Sequence, residues 1–189
     1  RRYFKALCDL KTGTGTQDTV SRLEFLMSRL GINVADRKIV EVAKKKSEDN
    51  ENCGAVALEL QDGRIVTGKN TKRMSASAAC VFNAVKMLAG IKDNQKLISP
   101  YVIGPIIDLK TKILKEHNKT LTLEEALIAL SICAASDANA ATAMEQLPLL
   151  EGCDAHSTHM LFKADENPFR KLGAVSYTHL RAHETLANL

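Results

Sequence analysis

No apolar run in the 189 residues approaches the ~20 that a membrane-spanning helix needs. No signal peptide stands at Arg1. No long block of one charge is present either. The densest basic run, Lys44-Lys45-Lys46, is followed at once by Glu48, Asp49 and Glu51, and the net charge is only +4. That pattern reads as a solvated helix end and not as a nucleic-acid surface. The five cysteines (Cys8, Cys53, Cys80, Cys133, Cys153) are odd in number, widely spaced and partly in apolar surroundings. They exclude a disulfide scaffold and read as reduced thiols of a cytoplasmic protein. Internal repeats and low-complexity segments are absent. What remains is ordinary for a globular protein, 45% hydrophobic and 25% charged. The length suits one domain with a real core plus a small helical extension.

The stretch from Gly54 to Gly90 organises the chain. Ala55, Val56, Ala57, Leu58 and Leu60 make a short apolar run, and Asp62-Gly63 supplies the positive φ that a tight hairpin needs. From Arg64 to Lys69, Ile65 and Thr67 fall on one side and Val66 and Gly68 on the other. An Ala-rich helix then opens at Ser75 or Ser77, both able to cap it, and stops at Gly90. The pattern predicts a β-hairpin with a helix packed closely on it.

Upstream, residues 1–47 predict a small helical region. Its pieces are 1–12, a helix capped by Thr16 or Asp18 with Val20, Leu23, Met27 and Leu30 at helical spacing, and a third helix opened by Asp36. A helix that starts uncapped at residue 1 suggests a chain cut off upstream. The polar run Ser47–Asn52 is the expected linker to an α/β domain over 53–173. There, Lys96-Leu97-Ile98 is a candidate strand and Ser99-Pro100 starts a helix that tolerates Pro105. Thr122-Leu123-Glu124-Glu125 is a capping box, and Asp137 caps the next helix. Residues 154–162 read as a strand, and Asp165 is expected to cap a short last helix ending at Gly173. From Ala174 onward the periodicity stops, and 174–189 resembles translated adapter read-through more than native sequence. The fold class expected from these pieces is α/β, with α+β as the alternative.

Several stretches together resemble one bacterial family, DUF1846, catalogued as a domain of unknown function. They include RRYFKALCDL, LQDGRIVTGK, SASAAC with NAVKMLAGI, KLISPYVIGPIIDLK, EEALIALSICAAS and FRKLG. The resemblance implies the C-terminal part of a longer protein whose upstream half carries a phosphate-loop-like Gly-Ser-Gly-Lys stretch. On that basis no cofactor is expected in this part and a nucleotide in the whole protein. The expected partner is the missing upstream half, with a homo-oligomer as a further possibility, and no nucleic acid or membrane. A looser likeness is architectural: a hairpin followed by an Ala/Ser/Cys-rich helix resembles the start of the cytidine-deaminase-like fold. Those enzymes place His-x-Glu or Cys-x-Glu at the helix start and add Pro-Cys-x-x-Cys. This chain has Ser75-Ala76-Ser77 there and no Pro-Cys-x-x-Cys.

Two groups of residues could carry chemistry. Lys69, Arg73, Ser75 and Ser77 gather at a predicted helix N-terminus, where free amides and the helix dipole favour an anion such as a phosphate. Ordinary capping beside a basic loop is the alternative. Cys153-x-x-His156-x-x-His159 places ligand-type residues close together, with Cys153 and His156 as candidates for a metal and a metal-assisted hydrolase as the rival function. On a strand, however, His156 and His159 would point to opposite faces. Cys80 reads as a small buried thiol, because no base can be assigned to it.

Overall fold

A computed structural model describes residues 2–178. The chain runs α1 (Arg2–Lys11), α2 (Gln17–Arg29), a 3-10 turn (Val34–Asp36), α3 (Lys38–Glu48), β1 (Ala55–Glu59), β2 (Ile65–Lys69), α4 (Ala76–Ala89) and α5 (Pro100–Asp108). A π-helical turn over Leu109–Ile113 extends α5. Then come α6 (Leu123–Ala134), α7 (Ala138–Glu145), a 3-10 turn (Leu147–Leu150), β3 (Asp154–Ser157), α8 (Lys163–Lys171) and β4 (Val175–Thr178). This is a mixed α/β fold. Among the described residues, no helix is long and apolar enough to cross a membrane.

The hairpin forms as its sequence requires. Gly63 takes φ +82°, its amide bonds the Leu60 carbonyl, and the Asp62 carboxylate accepts the Arg64 amide at 3.0 Å. Strands β1 and β2 pair antiparallel from Ala55↔Lys69 to Glu59↔Ile65. β3 adds antiparallel to the other edge of β1, and β4 adds parallel to β3, giving the order β2-β1-β3-β4.

As a central strand, β1 is buried on both faces. Val56 and Leu58 join the main core with residues of α4, α6, α7 and α8. Ala57 faces the other way, into a smaller cluster with Phe4 of α1 and Ile39, Val40 and Ala43 of α3. Helices α1 and α3 therefore cover one face of the sheet, and α4 covers the other. Contact with α4 is close at Gly68, where a Cβ would stand 2.2 Å from the Cys80 amide nitrogen and 2.5 Å from the Ala76 carbonyl oxygen. Only a strand residue without a side chain, under small helix residues, permits that approach.

Several sequence expectations need correction. Residues 96–98 form no strand: Leu97 and Ile98 are buried side chains in a short segment that leads directly into the Ser99 cap of α5. The expected strand 154–162 stops at Ser157, whose hydroxyl accepts the His159 amide at 3.2 Å and closes a side-chain turn. The third helix opens at Lys38, because Asp36 instead completes a capping box with Asn33 around the preceding 3-10 turn. Helix α8 starts at Lys163 with no side-chain cap, and Asp165 turns inward from its first turn. The segment 175–178, at the start of the expected non-native tail, is strand β4; Val, Tyr and Thr suit a pleated strand, and four residues are too few to show alternation. The remainder of the 174–189 tail, with His179 and His183, lies outside the described residues.

Candidate functional site

The loop between β2 and α4 is held from three sides. The Thr71 hydroxyl accepts the amides of Arg73 and Met74 at 3.3 and 3.0 Å. The Leu121 amide donates to the Arg73 carbonyl at 2.8 Å, and the Ser75 amide donates to the Leu121 carbonyl at 2.9 Å. The Asn70 side-chain oxygen accepts the Ala76 amide at 2.7 Å. Backbone and side-chain partners thus fix the entry to α4, and with it the position from which Arg73 projects.

Ser75 caps α4 as its sequence position suggests, accepting the Ala78 amide at 3.2 Å. Its hydroxyl also donates to Asp165 at 2.8 Å, and the same carboxylate oxygen accepts the Leu123 amide at 2.6 Å. Asp165 is 3% exposed. The chain therefore supplies its own anion to the start of α6 and, through Ser75, to the start of α4. Burial pushes the Asp165 carboxyl above its ordinary value, against the opposing effect of the Leu123 and Ser75 hydrogen bonds.

The other expected anion-binding residues are scattered. The Lys69 ammonium donates to the Asn50 side chain. Ser77 is fully buried, and its hydroxyl has no hydrogen-bond partner among the described residues. Arg73 borders an open space. That space is a cleft of about 270 Å³ between the outer face of α4 and the segment 96–103. Met74, Phe82, Ile98, Pro100 and Ile103 form its apolar walls, and Arg73, Lys86 and Lys96 bring three cations to it with no acidic side chain among the lining residues. Asn83 adds an amide, itself held by donating to the Thr67 carbonyl at 2.9 Å.

Lys86 stands out in this group. It is only 9% exposed, and its ammonium donates to the Asp93 carbonyl at 2.9 Å. Burial holds its pKa below the ordinary lysine value, and the nearby Asp93 charge pulls the other way. The ammonium retains two further donors, since a lysine has three. Sequence reading passed over Lys86 and Lys96. The available signal was a single lysine inside the otherwise apolar NAVKMLAG, a place where a charge needs a reason.

Cys153 and His156 do not converge. Cys153 belongs to the main core and its thiol donates to the Leu149 carbonyl at 3.6 Å, while His156 lies on the opposite sheet face with its ring edge on Phe4, centroids 4.8 Å apart. His159 is beyond the end of β3, beside the Ser157 hydroxyl, and burial lowers its pKa. No group of three or more metal-ligating side chains is gathered among the described residues. Burial raises the pKa of the Cys80 thiol far above the ordinary range, which makes it a poor nucleophile. Asp137 serves as a cap, accepting the Ala140 amide at 2.9 Å.

Fold and cleft define a class: a mixed α/β domain with a cationic, partly apolar cleft beside a helix. The profile of the C-terminal domain of the domain-of-unknown-function family DUF1846 matches residues 35–185, and the chain belongs to this family. Among its relatives are UPF0371 proteins of Clostridioides difficile (strain 630) and Clostridium botulinum (strain Eklund 17B / Type B), each 46% identical over 180 residues. One of Clostridium tetani (strain Massachusetts / E88) is 47% identical over the same length. Each match covers 92% of this chain and 36% of the relative, so the chain spans about a third of the length of these proteins.

Proposed function

We propose that this chain is the accessory C-terminal part of a larger protein, and that its cleft holds a phosphorylated ligand such as a nucleotide without turning it over. The observation that carries the reading is Lys86, a lysine whose side chain is largely buried beside a cleft with two further cations and no acidic lining residue. Burying a charge is unfavourable unless something compensates it, and here the Asp93 carbonyl and the nearby Asp93 charge do so while two ammonium donors remain available. A phosphate reaching Arg73, Lys86 and Lys96 would complete the compensation, the guanidinium offering a paired donor fork and the lysines point charges. Phe82, Met74 and Ile98 would take a ring or another apolar portion.

Of the four residues expected at an anion site, this reading retains Arg73. Lys69, Ser75 and Ser77 lie outside the cleft lining, and Ser75 is engaged by Asp165. The likeness to the cytidine-deaminase-like fold we take as one of layout, without zinc chemistry, since Ser75-Ala76-Ser77 offers no metal ligand of the kind those enzymes use.

Calorimetric titration of the purified protein with phosphate, nucleotides and phosphosugars tests the proposal. Lys86→Met and Arg73→Ala should each weaken binding about tenfold or more, since loss of one charge-assisted hydrogen bond removes ~1.5–3 kcal/mol. Ser75→Ala should leave affinity unchanged. Binding should also be accompanied by proton uptake at alkaline pH, as an anion raises the lowered pKa of Lys86. Binding indifferent to Lys86 and Arg73 would refute the reading.

A further inference from the structure

Helix α2 has one buried residue, Val20, and packs on α1 through half-buried Leu23 and Met27. Its remaining apolar side chains are turned outward. Phe25 is 62% exposed, Leu26 49% and Leu30 69%, and Ile32 just beyond the helix is 48% exposed. A groove of about 380 Å³, bordered by Tyr3, Leu23, Met27 and Val34 together with the charged Asp36 and Arg37, reaches one of the four, Ile32. Four large exposed apolar residues within eight positions are a concentration that singly scattered surface residues do not make. Polar groups cover it only in part: Arg22 pairs with Asp18, and the Arg29 guanidinium lies over one face of the Phe25 ring, 5.9 Å from its centroid, with Phe25 still 62% exposed.

The C-terminal family profile begins at residue 35, so α1 and α2 fall before the domain it describes. The match to the longer relatives covers 92% of this chain, which cannot fit within residues 35–189 and so extends into the α1–α2 segment. The match occupies only 36% of each relative. Helices α1 and α2 therefore belong to the stretch that joins the C-terminal domain to the rest of such a protein. The geometry points to the outer face of α2, from Phe25 to Ile32, as the docking surface for the N-terminal part of the full-length protein. The surface that fits is an apolar one with few charges. Because that part is covalently attached, its effective concentration at the patch is far above that of a free second copy, and a modest apolar contact suffices to hold it.

The test uses the full-length protein. A Phe25→Asp/Leu30→Asp double variant should be cleaved between the two parts at least tenfold faster than wild type in limited proteolysis. It should also unfold in two transitions where wild type unfolds in one, with no change in the mass of the native particle by light scattering. Phe25→Leu should behave as wild type. Replacing Phe25 with a photocrosslinking benzoylphenylalanine, which leaves the helix apolar, should capture peptides from the N-terminal part of the same chain. Unchanged cleavage and unfolding in the double variant would overturn the proposal. So would loss of a dimer without faster cleavage, capture of a second copy alone, or release of the N-terminal part by Ile128→Asp on α6 and not by the α2 variant.

Discussion

Helices α4 and α2 are nearly the same length, fourteen and thirteen residues, yet α4 buries nine residues and α2 one. Both have side-chain caps, from Ser75 and Thr16. Capping therefore does not separate them; what surrounds them does. Helix α4 has the hairpin beneath it, α6 and α7 beside it and Asp165 at its start. Helix α2 has α1 on one side and solvent on the other. Helix propensity and caps start a helix, but tertiary packing supplies most of its stability. A helix so thinly packed, with its large apolar residues facing out, is the surface proposed above for docking.

This contrast can be broken most forcefully at Gly68. Gly68→Ala would drive a methyl into the α4 backbone at Cys80 and should destabilise the protein by ~3 kcal/mol or more, read as a shift of the urea midpoint. Asp165→Ala comes next. It strips the carboxylate from the Ser75 hydroxyl and the Leu123 amide and should lower stability by ~2–3 kcal/mol, whereas Asp165→Asn keeps an acceptor oxygen and should lose much less. The acid is also pH-sensitive. Its folded pKa lies above the ordinary 3.8, so between those values the native state holds a proton that the unfolded chain releases. Stability from this group is full below 3.8 and declines as pH rises through the folded value. The stability of wild type relative to Asp165→Asn should therefore fall as pH rises from about 4, and a rising difference in urea titrations would contradict it.

Two serines two residues apart sharpen the comparison within α4. Ser75→Ala should lower the unfolding free energy by ~1–2 kcal/mol through loss of the cap and the Asp165 contact. Ser77→Ala should raise it by ~1 kcal/mol, because it removes a buried hydroxyl that has no partner. The smallest effect belongs to α2: in this chain Phe25→Ser should shift stability by no more than ~0.5 kcal/mol, since a largely exposed side chain has little burial to lose. Thermal and urea unfolding of the three variants would establish the order.

The sequence made local features legible. Caps at Thr16, Ser75, Ser99, Thr122 and Asp137 depend on residues two or three positions apart, and the Asp62-Gly63 turn on four, so their signals sit together in the chain. The alternation of Ile65, Val66, Thr67 and Gly68 likewise gave the two faces of β2. The cleft was not legible. It gathers residues from 71–74, 79–86 and 96–103, and nothing local tells Lys86 that Ile98 and Ile103 lie opposite. The anion site looked plausible because four suitable residues lie close in sequence, while the carboxylate that engages Ser75 stands 90 residues away. Cys153 and His156 illustrate the same limit at short range: three positions apart, they end on opposite faces of one sheet.

The Asp165 carboxylate has a consequence for the order in which the molecule assembles. It joins Ser75 across 90 residues and Leu123 across 42, so neither contact exists until α8 has been synthesised and docked. A growing chain that has completed the hairpin and α4 still lacks part of the fastening at the start of that helix. Loops of this size close late relative to local turns. The arrival of α8 is thus the event that locks two earlier helices at once, and slowed exchange of the Ala78 and Leu123 amides during refolding would time it.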